Sequence, residues 1–235
     1  MNYFRSVNSI HLSYLSPLLK WKIMDIRSLM GEANYPLGHS GFKKIIQRIE
    51  KLGVIAGLRD PFSKRKYVYL TGEGIKYLSG NGKLLITSEG SPLHDAKASE
   101  IIRKFLEFST VDKVTLEHEF SVLDKVIPDG SISGAKNGVS YCAAFELELT
   151  QKSKSRIIGK VQSYFNSTDF DYLIYFFASK QLMNSYRNSI NEAISEPLKN
   201  RIMYFYNERI LSSDYRLSES VGYFKESEVT LGKLF

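Results

Sequence analysis

Cysteine occurs once in the 235 residues, at Cys142, tryptophan once and histidine four times. A single thiol excludes an internal disulfide and any zinc site built on cysteines. The histidines, His11, His39, His94 and His118, show no metal-ligand spacing and are assigned to no metal. Long apolar runs are also missing. The longest, "YLIYFFA", is strand-sized and far short of the ~20 residues a membrane span needs. The opening stretch "MNYFRSVNSIHLSYLS" lacks the apolar core of a signal peptide, so the expected location is the cytoplasm, with no membrane insertion.

The chain does carry an excess of positive charge, and it is unevenly placed. Residues 1–90 hold 14 Lys/Arg against 6 Asp/Glu, whereas residues 91–235 hold 18 against 19. A basic first part followed by a near-neutral second part implies two tasks, the first on a polyanion. The hydrophobic share of 43% and charged share of 24% belong to an ordinary globular protein. The Gly/Ser-rich stretch "SGNGKLLITSEGSPLHDAK" divides the chain into a domain at 1–80, a linker at 81–96 and a domain at 97–235.

In the first region "SPLLKWKIMDIRSLMG" reads as one helix with Leu19, Ile23, Ile26 and Met30 on a stripe. A second helix follows, with Phe42, Ile45, Ile46, Ile49 and Leu52 at helical spacing, Ser40 as N-cap and Gly53 as C-cap. "VIAGLRDPFSKRKYVYLT" reads as two strands around a turn, and "GEGIKYL" starts another helix. With the apolar stripe inward, Lys43, Lys44, Gln47, Arg48 and Lys51 face outward, His39 and Ser40 stand at the helix start, and Lys64, Arg65 and Lys66 mark the hairpin tip. Helix, turn, helix and basic hairpin, ending in "LTGEG", resemble the winged helix-turn-helix of MarR-like regulators. That resemblance covers roughly residues 14–80 and implies double-stranded DNA as partner, with the second helix in a major groove and the hairpin on phosphate or in the minor groove.

The second region reads as helix ("DAKASEIIRKFLEFS"), three strands ("KVTLEHEFSVL", "KVIPDGSIS", "GVSYCAAFELELT"), helix, strand, helix, strand. This predicts an α/β or α+β domain with a mixed sheet, in which "FDYLIYFFAS" is a central strand buried on both faces. Alternation along "SYCAAFELELT" places Glu146 and Glu148 on one face. If the strand of Asp129 pairs beside them, three carboxylates converge, and their repulsion calls for a cation among them. Mg²⁺ or Mn²⁺ suits such oxygen ligands.

Pro128-Asp129, a spacer, and Glu146-Leu147-Glu148 resemble the PD-(D/E)XK nuclease superfamily, which implies a restriction-endonuclease-like domain with metal ligands Asp129, Glu146 and Glu148. Glu148 stands where that family's lysine is expected. A lysine on the following helix serves in some members, which points to Lys160, with Lys154 second. Glu100 matches the place of an extra helix carboxylate and would join the ligand set, with Glu117 and Glu119 as rivals. The winged helix followed by "PDG…FELELT…KVQSY" is similar to MobC-type relaxases and replication-relaxation proteins of mobile plasmids. That similarity implies an endonuclease nicking one strand at a plasmid transfer origin, with other mobilisation proteins such as a coupling protein as partners. Water is the expected nucleophile over Tyr141 or Tyr164, and His118 is a further candidate auxiliary group. The alternative is a non-enzymatic DNA-binding regulator of plasmid replication or transcription whose second domain is a degenerate nuclease fold.

Overall fold

Residues 9–79, 92–121, 126–212 and 215–235 are described by the computed structural model, and the chain divides into two units, Met1–Ser99 and Glu100–Phe235. Unit 1 contains α1 (Ser9–Ser13), α2 (Pro17–Trp21), β1 (Ile23–Asp25), α3 (Ile26–Glu32), α4 (His39–Lys51), β2 (Ile55–Arg59), β3 (Lys66–Leu70) and α5 (Gly72–Ser79). Its strands form an antiparallel sheet in the order β1-β3-β2.

The single helix expected near residues 16–31 is divided in two by β1. Lys22 takes a positive φ of 61°, which stops α2. Asp25 then restarts the helix as an N-cap, its carboxylate accepting from Arg27 N at 3.0 Å and Ser28 N at 3.1 Å. The apolar stripe runs on through the break because Ile23 and Ile26 are both buried, one in a strand and one in a helix. Gly38, not Ser40, occupies the N-cap of α4. Gly53 lies just past the C-cap Leu52, with the positive φ of 75° that glycine tolerates there.

The stretch expected to be a linker is partly helical. Helix α6 (Pro92–Phe105) begins inside it, and the unit boundary falls between its Ser99 and Glu100. The physical cause is burial. Asp95 pairs with Lys22 at 2.9 Å with both side chains 7% exposed, and Ser99 Oγ donates to the Trp21 carbonyl at 2.7 Å. The linker residues 81–91 lie outside the described residues.

Unit 2 is a mixed α+β fold on a seven-stranded sheet ordered β10-β9-β8-β7-β6-β5-β4. Its strands are β4 (Val111–Leu116), β5 (Gly130–Lys136), β6 (Val139–Glu148), β7 (Tyr172–Phe177), β8 (Ile202–Tyr206), β9 (Val221–Phe224) and β10 (Ser227–Thr230). Between them come α7 (Lys154–Phe165), α8 (Lys180–Asn191) and α9 (Glu196–Lys199), and α10 (Leu231–Leu234) follows. Strands β6, β7 and β8 are parallel and the rest antiparallel. The apolar run of β7 sits at the middle of the sheet, as its continuous hydrophobicity predicts. The strand expected over "KVTLEHEFSVL" ends at Leu116. Glu117–Glu119 turn into a 3-10 helix, where the Glu119 carboxylate accepts from Leu116 N at 2.7 Å.

The two faces of this sheet are covered differently. Val161, Tyr164, Tyr186 and Ile190 of α7 and α8 pack on Ala144, Tyr175 and Tyr204. On the other face Phe105 of α6 meets Phe145, with ring centroids 6.0 Å apart. Gly130 admits that helix, because a Cβ there would stand 2.4 Å from Ile102 Cδ1. The glycine of "PDG" is therefore a packing requirement as well as a turn residue.

Candidate active site

The pairing of β5 with β6 puts Gly130 opposite Phe145, so Asp129, one residue before β5, comes beside Glu146. Asp129 Oδ2 accepts from Leu147 N at 2.7 Å, which anchors the loop carboxylate to the end of β6. Glu146 is 1% exposed and Glu148 7% exposed, both on the face covered by α7 and α8. Lys160 of α7 reaches down to Glu146, with Nζ 2.5 Å from Oε2. One turn on, Tyr164 donates its hydroxyl to Glu146 Oε1. Tyr186 of α8 donates its hydroxyl to the Thr150 carbonyl at 3.5 Å, with Glu148 close enough for its charge to act on the phenol.

Burial and then the neighbouring Asp129 push the Glu146 carboxyl up to about 8, against the pull of Lys160 and Tyr164. Glu148 is also raised, first by burial, with Asp129 adding to it. Burial works to lower Lys160, yet Glu146, Asp129 and Glu148 together hold its ammonium above the usual lysine range. Burial and the Glu146 charge raise Tyr164. A tyrosine held there is a hydrogen-bond donor and a poor phenolate nucleophile.

Strand register extends this polar patch into a row: Glu146 pairs with Tyr175, Tyr175 with Tyr204, and Tyr204 with Tyr223. The Tyr175 and Tyr204 rings stack with centroids 6.5 Å apart, and neither hydroxyl finds a hydrogen-bond partner among the described residues. The sequence signals that point to these tyrosines are the four-residue step from Lys160 to Tyr164 and the alternation of Leu173, Tyr175 and Phe177.

Several expected roles fall elsewhere. Glu100 sits on α6, the helix on the opposite face from Glu146, and pairs with Lys104 at 3.8 Å. Lys154 pairs with Glu192 at the helix surface. Tyr141 turns away from the carboxylates and donates to the Thr110 carbonyl at 3.0 Å. Glu117 and Glu119 lie on the exposed 3-10 turn, although Glu117 N donates to the Asp129 carbonyl at 3.1 Å. His118 lies on the same turn.

The expected ligand set is corrected as well. Among the described residues no three Asp, Glu, His or Cys side chains form a ready-made metal group. Glu146 is held by Lys160 and Tyr164, which draws it toward α7. Asp129 and Glu146 still offer hard oxygen donors, and their mutual repulsion is what a cation relieves. Mg²⁺ is commonly bound by one or two carboxylates with its remaining positions on water, so this donor pair fits it without a third ligand.

In unit 1, His39, Ser40, Lys43, Lys44, Gln47, Arg48 and Lys51 are all exposed along α4, while Phe42, Ile46 and Ile49 are buried. Lys64 is exposed and Arg65 half-buried in the β2–β3 turn. Lys66 departs from the expected phosphate-binding role. It is ion-paired to Glu50 of α4, with both side chains 28% exposed. This bridge passes over Gly57, where a Cβ would stand 2.6 Å from Lys66 Cε. Lys66 therefore fastens the hairpin to the helix.

No protein-family model and no curated protein matches the chain. Among solved structures, restriction endonuclease FokI bound to DNA is similar to it, with a TM-score of 0.32 and 11% identity. The match covers 90% of this chain and 45% of that one. A TM-score of that size does not establish a common fold. Among the described residues no helix is long and apolar enough to cross a membrane.

The burial of Glu146 sets a pH dependence. A carboxyl that binds its proton more tightly in the folded chain stabilises the fold below its unfolded pKa, and that stability is lost as pH rises through the folded value. The metal-free protein should thus lose a Glu146-dependent part of its stability between pH 4.5 and about 8. Thermal melts of wild type and Glu146→Gln in chelator check this. The wild type should fall relative to the variant as pH rises, and a constant difference would show that Glu146 is ionised throughout.

Proposed function

We propose that the protein is a metal-dependent DNA endonuclease whose first unit is a winged helix that binds duplex DNA and whose second unit cuts it. The single observation that carries this reading is the meeting of Asp129, Glu146 and Lys160 at one end of β6. Two acids and a lysine are the side chains that phosphodiester hydrolysis uses. The fold order of unit 1 and the exposed basic face of α4 support the DNA-binding half.

Asp129 and Glu146 would hold Mg²⁺ or Mn²⁺, with Glu148 beside them. A bound ion supplies Lewis acidity to the phosphate and a more acidic water. The chain's own residues do the positioning. Lys160 stays protonated against Glu146 and sets positive charge where charge develops on the phosphate. Tyr164 fixes the rotamer of Glu146. Because the Tyr164 phenol is held above its ordinary range, water is the nucleophile. On the resemblance to mobile-plasmid relaxases, the substrate would be a transfer origin, cut on one strand, with mobilisation proteins as partners.

A second reading has an observation in its favour. Both Glu146 oxygens are already taken by Lys160 and Tyr164, as in a site that has become structural. On that reading the protein is a DNA-binding regulator with a degenerate nuclease fold. Incubating supercoiled plasmid with the protein and Mg²⁺ or Mn²⁺ separates the two. The nuclease yields open-circle or linear product that chelator prevents. Absence of product, together with no calorimetric binding of either ion, selects the regulator.

A further inference from the structure

The turn between β2 and β3 is held by more than a hairpin needs. Asp60, at its start, is 0% exposed. Its Oδ1 accepts from Phe62 N at 2.8 Å and its Oδ2 from Ser63 Oγ at 2.5 Å. Its backbone exchanges two further bonds within the turn, Asp60 N to Arg65 O at 2.9 Å and Lys64 N to Asp60 O at 3.0 Å. The Arg59 guanidinium closes the far side on the Lys64 carbonyl at 3.2 Å.

Behind the turn stands a buried cation. Lys97, from the first half of α6 and 0% exposed, places Nζ 3.5 Å from Asp60 Oδ2 and 3.1 Å from Tyr67 OH. Burying an ion pair costs desolvation that the pairing returns only in part, so the consequence of this pair is the geometry it fixes. What it fixes is Phe62. Its amide is tied to Asp60, yet the residue is 62% exposed.

An isolated exposed aromatic needs no explanation on a mobile surface. Phe62 differs because its backbone is anchored at both ends of a braced turn, with exposed Lys64 and half-buried Arg65 beside it. The same hairpin is fastened to basic α4 by Lys66–Glu50. We propose that Phe62 is an apolar wedge that enters the minor groove of duplex DNA and partly unstacks a base step, with Lys64 and Arg65 on the flanking phosphates and the Asp60–Lys97 pair as the brace behind it. This rests on the DNA-binding reading above and adds a contact that reads deformability, which a charged tip alone does not. Pyrimidine–purine steps, the easiest to unstack, are the favoured sites.

The test uses the full chain and a labelled duplex carrying TA steps, read by anisotropy for affinity and by energy transfer between the DNA ends for bending. Phe62→Ala should bind about tenfold more weakly, the scale of one stacking interaction, and bend the duplex less. The slope of affinity against salt should stay as in wild type, because no charge is removed. Phe62→Leu, which keeps an apolar wedge, should restore most of the bend. Circular dichroism confirms folding of these surface variants. If wild type binds no duplex, the DNA-binding reading itself fails. If wild type binds and Phe62→Ala matches it in affinity and bend, the wedge alone is overturned.

Discussion

Asp129→Asn is expected to lower Mg²⁺-dependent DNA cleavage by roughly 10²–10³-fold, the scale of removing one electrostatic stabiliser at a reacting centre. The same variant should fold as well as wild type or better in chelator. Asparagine retains an oxygen for the Leu147 amide that Asp129 now accepts at 2.7 Å, and it removes a negative charge that raises both Glu146 and Glu148. Asp129→Ala makes a useful contrast. It removes the same charge together with the Asp129 Oδ2 bond from Leu147 N, so it should melt below Asp129→Asn. Activity assays and melts of the two variants check this. If Asp129→Asn cleaves as fast as wild type, Asp129 does not act in the chemistry.

The pairing of Asp129 with the two-glutamate strand is legible in the sequence because it depends on alternation and on order in the chain. Glu146 and Glu148 share a face by the pleat, and "PDG" announces the start of a strand. Lys160 is legible for the same reason, one helix after the strand it serves. Glu100 is misplaced because a helix gives no sign of which side of a sheet it will cover. Phe105 against Phe145 decides that, and the two rings come from positions far apart in sequence. The neighbours of Glu148 are hidden in the same way, since Tyr186 arrives from a helix beyond a further strand.

Charge misleads in a different manner. Lys66 and Lys97 read as members of basic or linker stretches, yet Lys66 bridges to Glu50 and Lys97 is buried on Asp60. A lysine's position in sequence does not report the carboxylate that the fold will bring to it. The one-helix reading of residues 16–31 fails locally, because an apolar repeat of helical period survives a strand inserted between two helices. On α4 the same repeat holds without interruption, and its exposed face is as the pattern requires.

That exposed face carries the other large expected effect. Lys44→Glu together with Arg48→Glu should weaken binding to duplex DNA by about 10²-fold or more at low salt, since phosphate contacts dominate affinity and each reversed charge turns an attraction into a repulsion. Both side chains are exposed and one helical turn apart, while Phe42, Ile46 and Ile49 hold the helix from its other side, so the fold should survive. The slope of binding against salt should fall by about one unit for each phosphate no longer neutralised. Lys66→Glu should behave otherwise. It places two carboxylates together at Glu50, loosens the hairpin from α4, and should lower the melting temperature of unit 1 along with affinity. Anisotropy titrations across a salt series, beside melts of the same proteins, distinguish the two. Unchanged affinity and salt slope in the double variant would remove α4 from the DNA interface.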